Sequence, residues 1–514
     1  MKFRRFRRAA AAILLPAFLL TGCWQDTADT NEALNPDPSA AVSSQEESGA
    51  PVLPSSLSLP YDAAETLDPI TCPDGVQQTV AALLYEGLYE LDTSLQPQGR
   101  LCTAASYDPA ALTWTFTLRS GVAFTDGSPL TAADAAASLQ RARSSPRYAS
   151  RLECISSFTA GDGTVTAVLN RANTALPSLL DIPIVKSGTE DQPVPVGTGP
   201  YSLVSDESGV YLTANTAWWN GSVQPVRRIG LVNCTDQDSV RFQFTSHAVQ
   251  LITSDLTGTD PISATGKFEF YDADTTVLQY LGFNLSRPLF ADTALRQAMS
   301  LGVDRDTVVS ACLSSHARAA QFPVSPVSGE YPDSLASDYS YSAFESAMTE
   351  AGYHAGATRS ATLLVNSENS FKVSAAKYLA SALSAFDLDI TVESLPWEEY
   401  KAALAAGNYD LYYAEVKLTA DGDLRPLIGT GGSLNYGGYS NATLDLLLNE
   451  YASADDRAAA MQAVCSYLAK QVPIIPICFK CTSVLAQEGV VDNLTPTAAN
   501  PFYDIATCSI HLAG

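Results

Sequence analysis

Ser374 and Lys377 stand in "SAAK", the S-x-x-K spacing in which a lysine amine can activate a serine for acyl transfer. No S-D-N or K-T-G accompanies them, and Ser374 falls in a segment whose apolar spacing predicts a helix over 370–386, so a hydrolase is the weaker alternative. Cys478 and Cys481 have the C-x-x-C spacing of redox and metal sites, but they lie in "VPIIPICFKC", an apolar β-like run rather than a helix start. A buried strand with two small apolar side chains, a disulfide elsewhere in the set, and a redox or metal pair all stay open. "GTGPY" at 197–201 lacks the Lys-Ser/Thr ending of a phosphate loop, and no G-x-S-x-G occurs. His247, His316, His354 and His511 are isolated from one another, so neither a metal site nor a cofactor is expected. With 55 acidic residues in the chain, an arbitrary pair of carboxylates carries no information about catalysis.

Cys23 is a different case. Lys2, Arg4, Arg5, Arg7 and Arg8 precede an apolar run from Ala9 to Leu20, the layout of a bacterial secretion signal and too short for a membrane span of about 20 residues. Leu20, Thr21, Gly22 and Cys23 resemble the lipobox of bacterial lipoproteins. That resemblance implies cleavage before Cys23, acylation of its thiol, and anchoring at the outer face of the cytoplasmic membrane. Residues 1–22 hold five basic and no acidic residues, so their removal leaves 25 basic against 55 acidic and moves the balance from −25 to −30. Such acidity excludes a nucleic-acid surface and keeps the body off anionic lipid. Residues 23–59, rich in Pro, Ser, Ala, Asp and Glu, bury too little area to offset ordering and read as a disordered tether. The remaining 455 residues exceed one ordinary core and call for two or more lobes.

The elements that position these residues follow from period. Val80, Leu83, Leu84 and Leu88 share a helical face; Leu112, Trp114, Phe116 and Leu118 alternate with threonines as in a half-buried strand. A short strand is expected at Val122–Phe124, a turn at "TDGSP", and a capping box of Thr131 and Asp134 starting a helix that ends near Arg143. Strands are expected at 164–169, 201–205, 210–215 and 276–284, the last crossing between lobes. Further on, strands at 361–366, 388–395 and 409–416 alternate with helices at 370–386 and 397–406, which argues for an α/β lobe with a partly parallel sheet. Helices at 442–452 and 454–470 precede "PIIPICF", and the β-like "NPFYDIATCSI" ends the chain. Asp292 and Asp304 are expected to start helices, with Arg296 and Arg305 solvated or paired to those acids.

Ordered motifs then identify a family. "TLDP" at 66–69, "LLYEGL" at 83–88, "WTFTLRSGVAFTDGSPLTAAD" at 114–134, "PVGTGPY" at 195–201, "WWNG" at 218–221, "FNLSRPLFADTALRQAMSLGVDRDTVV" at 283–309, "AGY" at 351–353 and "NYGGYSNATLDLLLNE" at 435–450 resemble the solute-binding proteins of bacterial peptide ABC importers, family 5, in lipoprotein form. The resemblance implies a two-lobed α/β periplasmic-binding-protein fold of type II, peptide-binding cluster, with a hinge and an accessory subdomain. Lobe I is expected over 60–105, 185–276 and 478–514, the accessory subdomain over 106–184 and lobe II over 277–477. It also implies a monomer without catalysis that encloses a peptide or related solute and delivers it to a permease and ATPase complex. A sensory or adhesion lipoprotein of the same fold is the alternative.

The resemblance also nominates a pocket. In peptide-binding members an aspartate of a W-x-x-D pattern meets the ligand's α-amino group; here Lys417, Leu418, Thr419, Ala420 and Asp421 fit with Leu418 in place of Trp, which makes Asp421 the expected anchor and Asp423 its rival. Val416 to Thr419 and Cys72 to Gly75 are the two expected walls against which an extended ligand lies. Lys417 and Arg425 are candidates for a ligand carboxylate, with ordinary surface placement as the plainer role. Trp397, Tyr412, Tyr413 and Tyr436 are candidates for flat apolar contact, and Asn435 for a bond to a ligand carbonyl, with core packing or local capping as the plainer roles.

Overall fold

The structure is a computed structural model that describes residues 53–513 apart from 263–265, 354, 355 and 357. The leader, Cys23, most of the tether and His354 lie outside the described residues. All that follows concerns the compact unit Pro38–Gly514.

The strand Leu57–Tyr61 takes up three residues that the sequence reading leaves to the tether. It runs parallel to Arg228–Asn233, and Gly209–Ala214 and Tyr201–Asp206 continue that sheet antiparallel. The helix Val76–Leu84 packs on it through Val80, Leu83 and Leu84; Leu88 falls beyond the helix end, because the chain turns extended at Tyr85. Gly197 and Gly199 sit so close to Leu84 that a Cβ on either would lie 2.1 Å and 2.5 Å from its backbone. The "GTGPY" motif is therefore a close approach of two backbones.

Cys102–Asp108, Thr113–Leu118, Thr164–Leu169 and Ile155–Ala160 form a second antiparallel sheet. Its alternation is the expected one, with Trp114 and Phe116 buried and the intervening threonines turned outward. Thr131 and Asp134 form the reciprocal capping box of the helix Ala132–Arg143, which covers this sheet. Val122–Phe124 is not a strand: the chain makes one bridge, Ala123 to Pro129, around the tight turn that follows.

The third sheet joins the cores. Its order is Leu251–Ser254, Ile474–Gln487, Phe268–Phe283, Leu411–Lys417, Arg359–Asn366 and Leu388–Leu395, with Ala317–Ala319 also paired to Ile474–Gln487. Arg359–Asn366 runs parallel to Leu388–Leu395, as the alternation with helices Ser370–Leu383 and Trp397–Ala406 requires. Phe268–Phe283, sixteen residues, rises about 50 Å. Val484 and Ala486 pack in one core with Leu57 and Leu59, whereas Leu281, Phe283, Ile475 and Ile477 belong to another with Leu363 and Leu379. The register between the two long strands shifts near Asp274 to Leu278, where they pass from one core to the other.

Arg296 and Arg305 do not meet the neighbouring acids. Arg296, 3 % exposed, donates to the carbonyls of Val472, Phe290 and Gln471, and Arg305 to those of Ala320 and Pro476. Carbonyls left over by chain reversals need donors, and a guanidinium has five. The end of the chain is less extended than expected: a short 3-10 turn, Ile505–Thr507, precedes a two-residue strand, Ser509–Ile510. The nine described cysteines are all free. Cys478 and Cys481, three apart in a strand, point to opposite faces. Burial, the largest effect on each, pushes both thiols well above their ordinary range.

Candidate functional site

The strand Leu411–Lys417 pairs with Phe268–Phe283 along its whole length, but with Arg359–Asn366 only at Leu411 and Tyr412. No other described strand lies on that side, so no strand pairs with that edge from Tyr413 onward. Leu418 donates its N–H to the Thr276 carbonyl (2.9 Å) and its carbonyl accepts from the Thr276 hydroxyl (2.6 Å). By alternation, Glu415 and Lys417 turn their backbone groups to the free edge. The Tyr400 hydroxyl already takes the Tyr413 carbonyl there, at 2.9 Å. An extended chain can add to such an edge.

The second expected wall comes close. Arg147 donates to the Cys72 carbonyl and pairs with Asp74 at 2.5 Å, while Gly75, at φ 86°, opens the helix Val76–Leu84. Burial raises the Cys72 thiol to about 11, which makes it a packing residue rather than a nucleophile. Lys417 is exposed, yet desolvation followed by the fields of Arg151 and Arg147 lowers its ammonium pKa against the pull of Asp74. Arg151 pairs with Asp181. The ammonium of Lys417 has no hydrogen bond or ion pair among the described residues.

Asp421 is 7 % exposed. Its Oδ2 accepts from the Asn173 amide at 2.8 Å and its Oδ1 from the Asp423 N–H at 3.3 Å, but no cation is paired with it. Its carbonyl accepts from Tyr451 and Arg457, which hold the turn in place. Asp423 is instead clasped by Arg425 through two bonds of 2.7 and 2.8 Å, with Arg171 at 3.8 Å. Burial works to raise the Asp423 carboxyl, but the hydrogen bonds and charge of Arg425 outweigh it and hold the group below the usual carboxylate range.

Asn435 is spent locally: it donates to the Gly429 and Tyr439 carbonyls and accepts from the Tyr439 N–H. Tyr436, 39 % exposed, meets Tyr412 edge to face at the far end of the strand from Lys417. Tyr412 and Tyr413 are core residues. Trp397, 46 % exposed, stacks on Tyr400 near the free edge. Val416 to Thr419, Asp421, Asp423 and Arg425 thus follow one another along one strand and the turn after it, and Lys417 lies in the fields of Asp74 and of the Arg147 that holds the Cys72 carbonyl, while Asn435 and Tyr436 stand apart.

Sequence reasoning missed the inner charges. Glu415 accepts from Gln279 at 2.9 Å and pairs with Lys480 at 3.3 Å and Lys372 at 3.9 Å; Lys480 also meets Asp255 at 2.5 Å. A lysine inside the apolar run "ICFKC" is the signal that was available, since a buried lysine requires a partner. No group of three or more His, Cys, Asp or Glu side chains among the described residues is placed to hold a metal ion.

The chain matches, over residues 96–423, the model of bacterial extracellular solute-binding proteins, family 5 middle. It is 25 % identical over 321 residues to the glutathione-binding protein GsiB of Salmonella typhi, covering 57 % of this chain and 60 % of that protein, so the chain spans well under two thirds of this relative. It is 26 % identical over 440 residues to protein XP55 of Streptomyces lividans, covering 78 % of this chain and 79 % of that one. Among solved structures, the unliganded open form of the murein tripeptide-binding protein MppA superposes with a TM-score of 0.71 at 20 % identity, covering 90 % of this chain and 99 % of that one. A nickel ABC transporter protein of Bacillus halodurans gives 0.73 at 18 %, covering 87 % and 98 %. The fold is the two-lobed α/β periplasmic-binding-protein fold, type II, of the peptide-binding cluster. The chain belongs to the bacterial extracellular solute-binding proteins of family 5.

Proposed function

We propose that the protein captures a peptide with a free amino terminus between its lobes and hands it to the permease and ATPase complex of an importer. Asp421 carries the reading. A carboxylate removed from water with no cation in contact is costly; Arg151 and Arg425 act on it only from a distance, and a ligand ammonium would supply the missing contact. The free edge at Glu415 and Lys417 suits an extended ligand backbone, and the unpaired Lys417 ammonium suits an anionic group further along it. Two of the similar proteins are named for binding glutathione and a murein tripeptide, both small peptides. Cys23 would carry the lipid that holds the protein at the outer face of the cytoplasmic membrane.

Native mass spectrometry of gently purified protein, followed by release on denaturation, should yield a peptide. Calorimetry then tests the anchor with tetra-alanine and its N-acetyl form. Wild type should prefer the free amine by about 10- to 100-fold, the worth of one charge-assisted hydrogen bond. Asp421→Ala should erase that preference. An affinity for the free amine that survives Asp421→Ala in full rejects the assignment.

A further inference from the structure

Lys480 is 3 % exposed and sits where the two long strands pass between cores, opposite the register shift at Asp274 to Leu278. Its ammonium meets two carboxylates that belong to different cores. Glu415, at 3.3 Å, stands on the strand Leu411–Lys417, whose Leu411 and Tyr413 pack with Leu363 and Leu379. Asp255, at 2.5 Å, follows the strand Leu251–Ser254, whose Leu251 packs with Leu57 and Leu59. A second contact joins the same two parts. The Asn369 amide, at the start of the helix Ser370–Leu383, donates to the Thr257 carbonyl at 2.9 Å, and both residues are buried. Asp255 links the two contacts: its Oδ1 accepts from the Thr257 N–H at 3.1 Å while its Oδ2 accepts from Lys480.

We infer that the turn 255–258 is a latch across the hinge, in which Asp255 on Lys480 and Thr257 on Asn369 hold the two lobes together and part as one unit when the lobes open. Charge sets the direction of its bias. Joined, Asp255, Glu415, Lys372 and Lys480 sum to zero; parted, Glu415 alone faces two ammonium groups and Asp255 carries its charge to the other side. Separating opposite charges that touch in a site shielded from water costs free energy. The Thr257 carbonyl and the Asn369 amide both find water when exposed, so that bond contributes less. The latch therefore favours the closed arrangement before any ligand arrives, with groups that the capture of an amine at Asp421 does not use.

The test uses the ligand-free full chain. Reductive methylation with formaldehyde and cyanoborohydride, read by mass spectrometry of proteolytic fragments, reports how often the Lys480 amine meets solvent; small-angle scattering reports whether the lobes separate. Asn369→Ser keeps an oxygen to cap its helix but is too short to reach Thr257, and it leaves Asp255 and Lys480 in place. It should speed methylation of Lys480 about 5-fold, the worth of one neutral hydrogen bond. Asp255→Asn combined with Asn369→Ser should enlarge the radius of gyration. Thermal melting of both variants checks that they fold. A Lys480 rate unmoved by Asn369→Ser overturns the latch, because the two contacts then part separately. A radius unchanged in the double variant also overturns it, because the turn then lifts without moving the lobes. Both outcomes leave the peptide reading standing, since no ligand takes part.

Discussion

Asp421 and Asp423 are two residues apart and chemically alike, and only their partners separate them. Asp423 has a guanidinium in bidentate contact, whereas Asp421 has an amide in contact and the fields of Arg151 and Arg425 only from a distance. Asp423 should therefore contribute to stability rather than to capture. Its folded pKa lies below that of a free aspartate, so the contribution is complete above the ordinary value of 3.8 and is lost as pH falls through the folded pKa. Asp423→Asn should cost about 2 kcal/mol in urea unfolding at pH 7, the scale of a hydrogen-bonded charge pair, and leave peptide affinity near wild type. The gap to wild type should close as pH drops below 3.8; a gap independent of pH would reject the pairing as its cause. Sequence presented both acids as rivals because the deciding neighbour, Asn173, is 248 residues away. Arg425, two residues from Asp423, was within local reach, but the sequence offered it only as a candidate for a ligand carboxylate or an ordinary surface residue.

At the scale of elements, legibility followed the range of the forces involved. The capping box of Thr131 and Asp134, the strand Leu388–Leu395 and the helix Trp397–Ala406 closed by left-handed Gly407 are set by neighbours within a few residues, and the sequence spelled them out. The strand expected over 276–284 runs from Phe268, because its first half, "FEFYDADT", owes its extension to pairing with Ile474–Gln487 and not to its own alternation. Gly199 shows the same division. Its turn was legible, but its need for glycine arises from Leu84, where a Cβ would stand 2.5 to 2.7 Å from backbone that cannot yield. Gly199→Ala should thus cost about 1–3 kcal/mol, the usual cost of overpacking, measured by chemical unfolding of the intact chain. A neutral substitution would mean that the two segments separate without penalty.

At the scale of the whole molecule, residues 173 and 174 are bonded to segments far along the chain, at 421 and 452–454. Thr174 donates its N–H to the Ala452 carbonyl (3.0 Å) and its hydroxyl to that of Ala454 (2.9 Å), beside the Asn173 bond to Asp421. We propose that residues 106–184 travel with the first lobe, which makes these bonds closure contacts formed before any peptide arrives. The bond to the Asp421 carboxylate is worth about 1.5–3 kcal/mol and the neutral one of Thr174 about 1 kcal/mol, so removing both shifts the closed-to-open ratio about 60- to 700-fold. Asn173→Ala with Thr174→Ala should then enlarge the radius of gyration of the ligand-free protein in small-angle scattering, and saturating peptide should restore the compact value. The apparent affinity should fall in proportion to the closed fraction lost. An unchanged radius in both states would show that these bonds join parts that never separate, and would move residues 106–184 from the first lobe to the second.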